Sequence, residues 1–240
     1  MFDYKKIKIW CISKYASPPI YGLGTRLFYL AREFSKMGVD VALISSDSNH
    51  MAKYPSSAQI YNLETVDDIR HLWIKTLKYS KTASIMRVIS WFDFEAKLFL
   101  MNKKELFAPN VVIVSSLSLF TIIYGIYLKR LFNAKLVFEV RDIHPLTLTE
   151  ELGVSKYNPL AILMGWLEKL AYKKADLIVG TMPNLSEHVK NILGEEREVF
   201  FSPIGINEVW SNPIQQDKEI DSLFPKDGKL VVGYSGSMGK

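Results

Sequence analysis

The chain has a single cysteine, Cys11, among its 240 residues, so no disulfide can form within it. Cys11 sits in an apolar run and reads as a buried thiol in a reducing compartment. Four histidines, His50, His71, His144 and His188, are scattered along the chain. With no H-x-x-x-H and no paired-cysteine spacing, no metal site is expected. Neither a G-x-S-x-G elbow nor a P-loop occurs. There is no Lys/Arg-rich run and no zinc-finger or RNP-type motif, which argues against nucleic acid despite a net charge of +5. That mild positive balance suits an anionic partner such as a phosphorylated substrate or an acidic membrane surface. Long apolar runs are scarce too. The one charge-free stretch, "VVIVSSLSLFTIIYGIYL" (111–128), is near the minimum length for a membrane span. It opens on β-branched residues, breaks at Ser115-Ser116 and continues with helical periodicity, so it reads as strand, turn and half-buried helix. The opening "MFDYKKIKIWCISKY" has only the short apolar core "IWCI" and no small-residue cleavage site, and is not expected to be a signal peptide.

What is present is an ordinary packed globular composition, 48% hydrophobic and 23% charged, with room for one large domain or two small ones. Strand and helix signals alternate. Strands are expected at 6–12, 39–45, 110–115, 134–140, 176–181, 197–203 and 229–236. Helices are expected at 23–38, near 65–81 and 84–106, and at 119–132, 158–175 and 183–193. Gly38 and Gly194 are fitting helix stops, and Asn158 with Pro159 is a fitting helix start. Strands apolar on both faces and alternating with helices predict an α/β fold: a Rossmann-like parallel sheet with helices on both faces. The polar, proline-containing segment 207–228 reads as a linker. The expected organisation is therefore a domain over 1–206, the linker, and the first strand and glycine turn of a second domain over 229–240.

Two stretches carry candidate chemistry. In "SKYASPPIYGLGTRLFYLAREF" a loop runs through Gly22 and Gly24 straight into a helix, where bare backbone and free N–H groups favour an anion. The same glycines could instead only relieve a tight loop–helix junction. A dinucleotide fingerprint would need a third glycine where Leu27 stands and a shorter loop, although Asp47 after the second strand could hold a ribose. In "FEVRDIHP", Glu139, Arg141, Asp142 and His144 gather at a strand end, the edge where parallel sheets bind ligands. Alternation would put Glu139 and Arg141 on one face and Asp142 at the exit, where a carboxylate can take a hydroxyl proton or hold a sugar hydroxyl. An internal ion pair that only orders the loop is the competing reading. A third region, 65–107, is read for its surface. Lys75, Lys78 and Lys81 would share a helix face, beside "IMRVISWFDFEAKLFLM" with Trp91, Phe92, Phe94 and Phe99 among Arg87 and Lys97. That pairing fits either an anionic membrane surface or a solvated face over a buried helix pair.

Taken in order, "GLGTRLFYLAREFSKMGVDVALISSD", "FEVRDIHP", "ADLIVGTMPNLSEHV", "FFSPIGI" and "VVGYSGSMGK" resemble the bacterial GT-B glycosyltransferases of family 4. The match is with the L-fucosamine transferase-like branch that serves O-antigen and capsule assembly. The resemblance implies the acceptor-side, N-terminal half of a retaining, metal-independent enzyme. Its partners would be a nucleoside-diphosphate-sugar donor, a polyprenyl-diphosphate-linked sugar acceptor and the inner face of the cytoplasmic membrane, with no cofactor, metal or nucleic acid. Carried over, Gly22 and Gly24 face the diphosphate and acceptor, and Arg141 and Asp142 fall at the acceptor-side catalytic position. Glu139 and His144 are acceptor contacts, and Gly236, Ser237 and Gly239 form the turn near the donor phosphates. Lys75, Lys78 and Lys81 would lie toward the bilayer. This chain has His144 where the family often has Trp, and Ile204-Gly205 where it often has Asn-Gly. The family's acidic pair and phosphate clamp would lie beyond Lys240. By this reading the chain ends at the threshold of its donor half and would not turn over substrate alone. The alternatives are a non-catalytic acceptor- or partner-binding module, or an NAD-dependent epimerase or dehydrogenase built on Gly22 and Gly24.

Overall fold

The computed structural model describes residues 6–48, 59–79, 84–151, 153–205 and 232. The chain divides into two compact units, Met1–Ile204 and Gly205–Lys240. The expected linker at 207–228 and the turn carrying Gly236, Ser237 and Gly239 lie outside the described residues, save Val232.

The first unit is built on one sheet of strands β1 (Lys8–Ile12), β2 (Asp40–Ser46), β3 (Tyr61–Val66), β4 (Ile69–Ile74), β5 (Val111–Ser115), β6 (Lys135–Val140), β7 (Leu177–Gly180) and β8 (Val199–Phe201). Their order across the sheet is β3-β4-β2-β1-β5-β6-β7-β8. All neighbours pair in parallel except β3, which runs antiparallel to β4 at the edge. The sequence order reverses between β1 and β5, and a crevice is expected beyond the carboxyl ends of the strands at such a switch point.

Alternation along the strands divides the core in two. Ile9, Cys11, Val41, Leu43 and Ile113 face helix α1 (Arg26–Lys36), which buries Leu27, Phe28 and Ala31 on them. Trp10, Ile12, Ala42, Ile44, Val112, Val114, Leu136 and Phe138 face the other way. Over them lie helices α2 (Ile85–Leu100), α3 (Thr121–Phe132), α4 (Pro159–Lys174) and α5 (Leu185–Leu193). The parallel sheet with helices on both faces is thus as expected. So are several helix ends: the Asn158 side chain accepts from the Leu160 N–H with Pro159 following, and Gly38 and Gly194 take φ of 86° and 76°. The 111–128 stretch resolves into β5, a short 3-10 turn and α3, and no helix among the described residues is long and apolar enough to cross a membrane.

One expected helix is absent. The segment near 65–81 is the β3–β4 hairpin and an irregular stretch over 75–79. Val66, Ile69, Trp73 and Leu77 fall at helical offsets, but β4 lies between β2 and β3 and is buried almost along its length. Such a strand reads as a near-continuous apolar run and imitates either period. Asp67 and Asp68 close the hairpin with φ of 50° and 61°, the left-handed conformation that a two-residue I′ turn needs at both positions. The proposed lysine face dissolves with that helix. Lys75 and Lys78 follow β4 in irregular chain, and Lys81 lies outside the described residues.

Candidate active site

A cavity of about 340 Å³ opens at the carboxyl edge of the sheet, between the chain leaving β1, the chain leaving β5, the chain leaving β6, and helices α2 and α4. Lys14 and Tyr15 come from the first, Leu117 to Phe120 from the second, and Arg141, Asp142 and His144 from the third. Arg87, Trp91 and Glu95 come from α2, and Met164 from α4.

Backbone and hydroxyl contacts set these groups in place. Past the end of β1, the Ser13 N–H bonds the Ile44 carbonyl and the Ser46 N–H bonds the Lys14 carbonyl, while the Lys14 N–H donates to Ser118 Oγ at 2.7 Å. Past the end of β6, the N–H groups of Arg141 and Asp142 both donate to Ser116 Oγ, at 2.9 and 3.1 Å. One buried hydroxyl thereby stops the strand and turns both side chains out of the sheet. His144 leads through a cis peptide bond into Pro145 and a turn of π-helix over Thr147–Glu151. On α2, Arg87, Trp91 and Glu95 recur every fourth residue and so form one row along the helix. Trp91 Nε1 donates to the Tyr15 hydroxyl at 2.7 Å, and the Arg87 guanidinium lies 5.5 Å from the Trp91 ring.

The electrostatics are those of a partly dry site. Lys14 is buried, with Nζ donating to Ser90 Oγ at 2.8 Å, the Ser48 carbonyl at 3.1 Å, Ser46 Oγ at 3.3 Å and Thr76 Oγ1 at 3.4 Å. Burial lowers its pKa to about 7, against the opposing pull of Asp47, Asp93 and Glu95. Burial raises the Glu95 carboxyl to about 8, although Thr121 and Lys14 favour its ionised form. Burial also lowers His144, opposed by Asp142 and reinforced by Arg87. Glu95 Oε2 and His144 Nδ1 are out of solvent contact with no hydrogen-bond partner among the described residues. The Arg141 and Asp142 side chains also make no ion pair or hydrogen bond among those residues.

Of the residues singled out in the sequence, Arg141, Asp142 and His144 therefore meet in one cavity. Glu139 does not join them. It is the last but one residue of β6 and turns toward α1, where Arg26 Nε lies 2.8 Å from Glu139 Oε1. The expected shared face of Glu139 and Arg141 fails because alternation ends at Val140, where the chain leaves the sheet. Gly22 and Gly24 lie in the loop before α1 and do not line the cavity. Gly24 is buried, its carbonyl accepts from the Ser17 N–H at 2.9 Å, and a Cβ there would overlap the Tyr15 carbonyl oxygen. Close packing calls for a glycine there. Lys75 and Lys78 also lie away from the cavity, Lys78 pairing with Asp47 at 2.8 Å. Sequence reasoning passed over Lys14, Arg87, Trp91 and Glu95 as site residues. The signals were there: a lysine two residues past a strand, and an Arg-Trp-Glu row at a spacing of four in an aromatic helix. Among the described residues no cluster of His, Cys, Asp or Glu could hold a metal ion.

No protein-family model and no curated protein matches the chain. Among solved structures, sucrose-phosphate synthase from Thermosynechococcus elongatus superposes with a TM-score of 0.60 at 16% identity, over 92% of this chain and 54% of that one. The catalytic domain of starch synthase IV from Arabidopsis thaliana, bound to ADP and acarbose, gives 0.50 at 10% identity, over 81% and 51%. The likeness is one of fold: this chain has the Rossmann-like α/β half of a GT-B fold. It spans about half the length of these two solved chains.

Proposed function

We propose that the chain is the acceptor-side half of a glycosyltransferase. It would serve transfer of a sugar from a nucleoside-diphosphate donor to a lipid-diphosphate-linked sugar acceptor in surface-polysaccharide assembly. The observation that carries this reading is the cavity at the switch point of a GT-B half, with Arg141 and Asp142 on its wall and no protein partner for either charge among the described residues. Asp142 would accept the proton of the attacking acceptor hydroxyl or orient it, and Arg141 would hold acceptor phosphate. Retention of configuration and independence of metal are proposed from the resemblance. Backbone N–H groups at helix starts can meet the departing diphosphate where a metal otherwise would.

A membrane-borne acceptor is supported by a different set of residues from the lysines first considered. Ile85, Met86, Ile89 and Phe92 on α2 and Ile162 and Trp166 on α4 are exposed, on the two helices that contribute to the cavity. Exposed apolar side chains of this kind suit the headgroup region of a bilayer. For the NAD-linked alternative the residue in its favour is Asp47, and that carboxylate pairs with Lys78 and accepts from the Thr76 N–H.

The test is Asp142→Asn in a protein that carries both halves. Turnover is expected to fall roughly 10²- to 10⁴-fold, the usual worth of a positioned acid or base, with acceptor binding little changed. Turnover within threefold of wild type removes Asp142 from the chemistry.

A further inference from the structure

Glu95 lines the cavity with a carboxyl group that is only half hydrogen-bonded. Thr121 Oγ1 donates to Glu95 Oε1 at 2.6 Å and fixes the carboxyl group, which leaves Oε2 buried and unpartnered. A buried polar atom without a partner is costly, roughly 1–3 kcal/mol, and such atoms in folded proteins call for a cause. Glu95 stands one turn along α2 from Trp91 and two turns from Arg87, and all three line the cavity together with Arg141. Trp91 is held by its bond to Tyr15, so it offers a fixed aromatic wall. At about 340 Å³ the space is near the low end of the roughly 300–1,000 Å³ of ligand pockets. That suits a single sugar unit.

We propose that Glu95 is a specificity residue that hydrogen-bonds a ring hydroxyl of a sugar seated against Trp91, while Arg87 and Arg141 take an anionic group on the same sugar. The cavity then selects a glycosyl phosphate over the neutral sugar. This rests on the acceptor reading given above and adds to it the chemistry of the acceptor's first sugar and the residue that reads it. Burial favours the neutral carboxyl, in which Oε1 accepts from Thr121 and the Oε2 hydroxyl is the donor offered to the ligand. Glutamine reproduces that pattern, with its amide N–H₂ in place of the acid O–H. Leucine does not.

The experiment is calorimetric titration of the 240-residue chain with a panel of hexose and N-acetylhexosamine 1-phosphates, the corresponding free sugars, and inorganic phosphate. At least one glycosyl phosphate is expected to bind at least tenfold more tightly than its free sugar or phosphate. Glu95→Gln should retain that affinity at pH 7, and Glu95→Leu should lose tenfold or more. Above about pH 8 the wild-type affinity should fall more steeply than that of Glu95→Gln, because only the acid can ionise. Lys14, with a pKa near 7, titrates mostly below that range, so the difference between the two profiles above pH 8 is the readout. If a glycosyl phosphate binds and Glu95→Leu binds it equally well, the role of Glu95 is overturned and the acceptor reading stands. If no glycosyl phosphate on the panel binds the wild-type chain, both are overturned.

Discussion

Glu139 and Asp142 are carboxylates near one strand end, and the fold treats them in opposite ways. Glu139 faces α1, almost wholly buried, and meets Arg26 at 2.8 Å. The same guanidinium donates to the Ser202 carbonyl, the Ser202 hydroxyl and the Pro203 carbonyl, so it ties α1 to the chain beyond β8. Asp142 lies past the sheet, on the cavity wall, with no protein partner among the described residues. On the α1 side Glu139 has a charged partner for Oε1, with Oε2 buried and unpartnered, whereas on the α2 and α4 side the charges of Arg141 and Asp142 meet no opposite charge among the described residues. Charge next to charge in sequence is therefore a poor guide to role. What separates the two is whether the residue precedes or follows the point where the strand stops.

The largest expected effect breaks the Arg26–Glu139 ion pair. Arg26→Leu strands the Glu139 carboxylate in a dry setting, and loss of one partner of a buried pair costs roughly 3–5 kcal/mol. A urea melt of the chain should show the loss as a lower midpoint, and Arg26→Leu with Glu139→Leu should recover a large part of it. A single variant as stable as wild type would mean that Glu139 is reached by water and is no different from Asp142.

The second test concerns the open side through pH. Glu95 is raised from 4.5 to about 8 on folding, so between those values the folded chain holds a proton that the unfolded chain releases. Its contribution to stability is present below about pH 4.5 and declines as pH rises toward 8. Lys14 is lowered from 10.5 to about 7, so over that window the unfolded chain holds the extra proton, and stability rises with pH. Each limb has a slope of at most about 1.4 kcal/mol per pH unit for one proton. Subtracting the stability profile of Glu95→Gln from wild type should leave a falling curve between pH 4.5 and 8, and subtracting that of Lys14→Met a rising one between pH 7 and 10.5. Flat difference curves would show that the cavity floor is as well solvated as the surface.

Much of this architecture was legible in the sequence because its strands are short, apolar and bounded by clear helix signals. Asn158-Pro159 and Gly194 mark helix ends by chemistry that acts locally, and they fall where expected. The β3–β4 hairpin was not legible. Its turn is Asp67-Asp68 where Asn-Gly or Asp-Gly would announce it, and the offsets of Val66, Ile69 and Trp73 suit a helix as well as a strand. The cluster in "FEVRDIHP" could be placed at a strand end, but the partner of Glu139 comes from α1, far along the chain, and local spacing does not contain it. Glu95 went unread for a related reason. An acid in an aromatic helix looks like a solvated position until Thr121 is seen to bond it from α3.

The smallest effect contrasts two neighbouring serines at the end of β5. Ser116 and Ser115 are equally buried, but Ser116 Oγ accepts two backbone N–H groups and Ser115 Oγ has no partner among the described residues. Ser116→Ala leaves the Arg141 and Asp142 N–H groups short of an acceptor, for a loss of about 1–2 kcal/mol. In a two-halved protein it should also lower turnover, because the loop that aims Asp142 loses its anchor. Ser115→Ala removes a hydroxyl that does nothing for the fold, and its midpoint should shift by less than about 0.5 kcal/mol, in either direction. Equal losses from the two variants would mean that the end of β6 is held by the sheet itself. Arg141 and Asp142 would then owe their place on the cavity wall to the strand, with no part played by the hydroxyl beneath them.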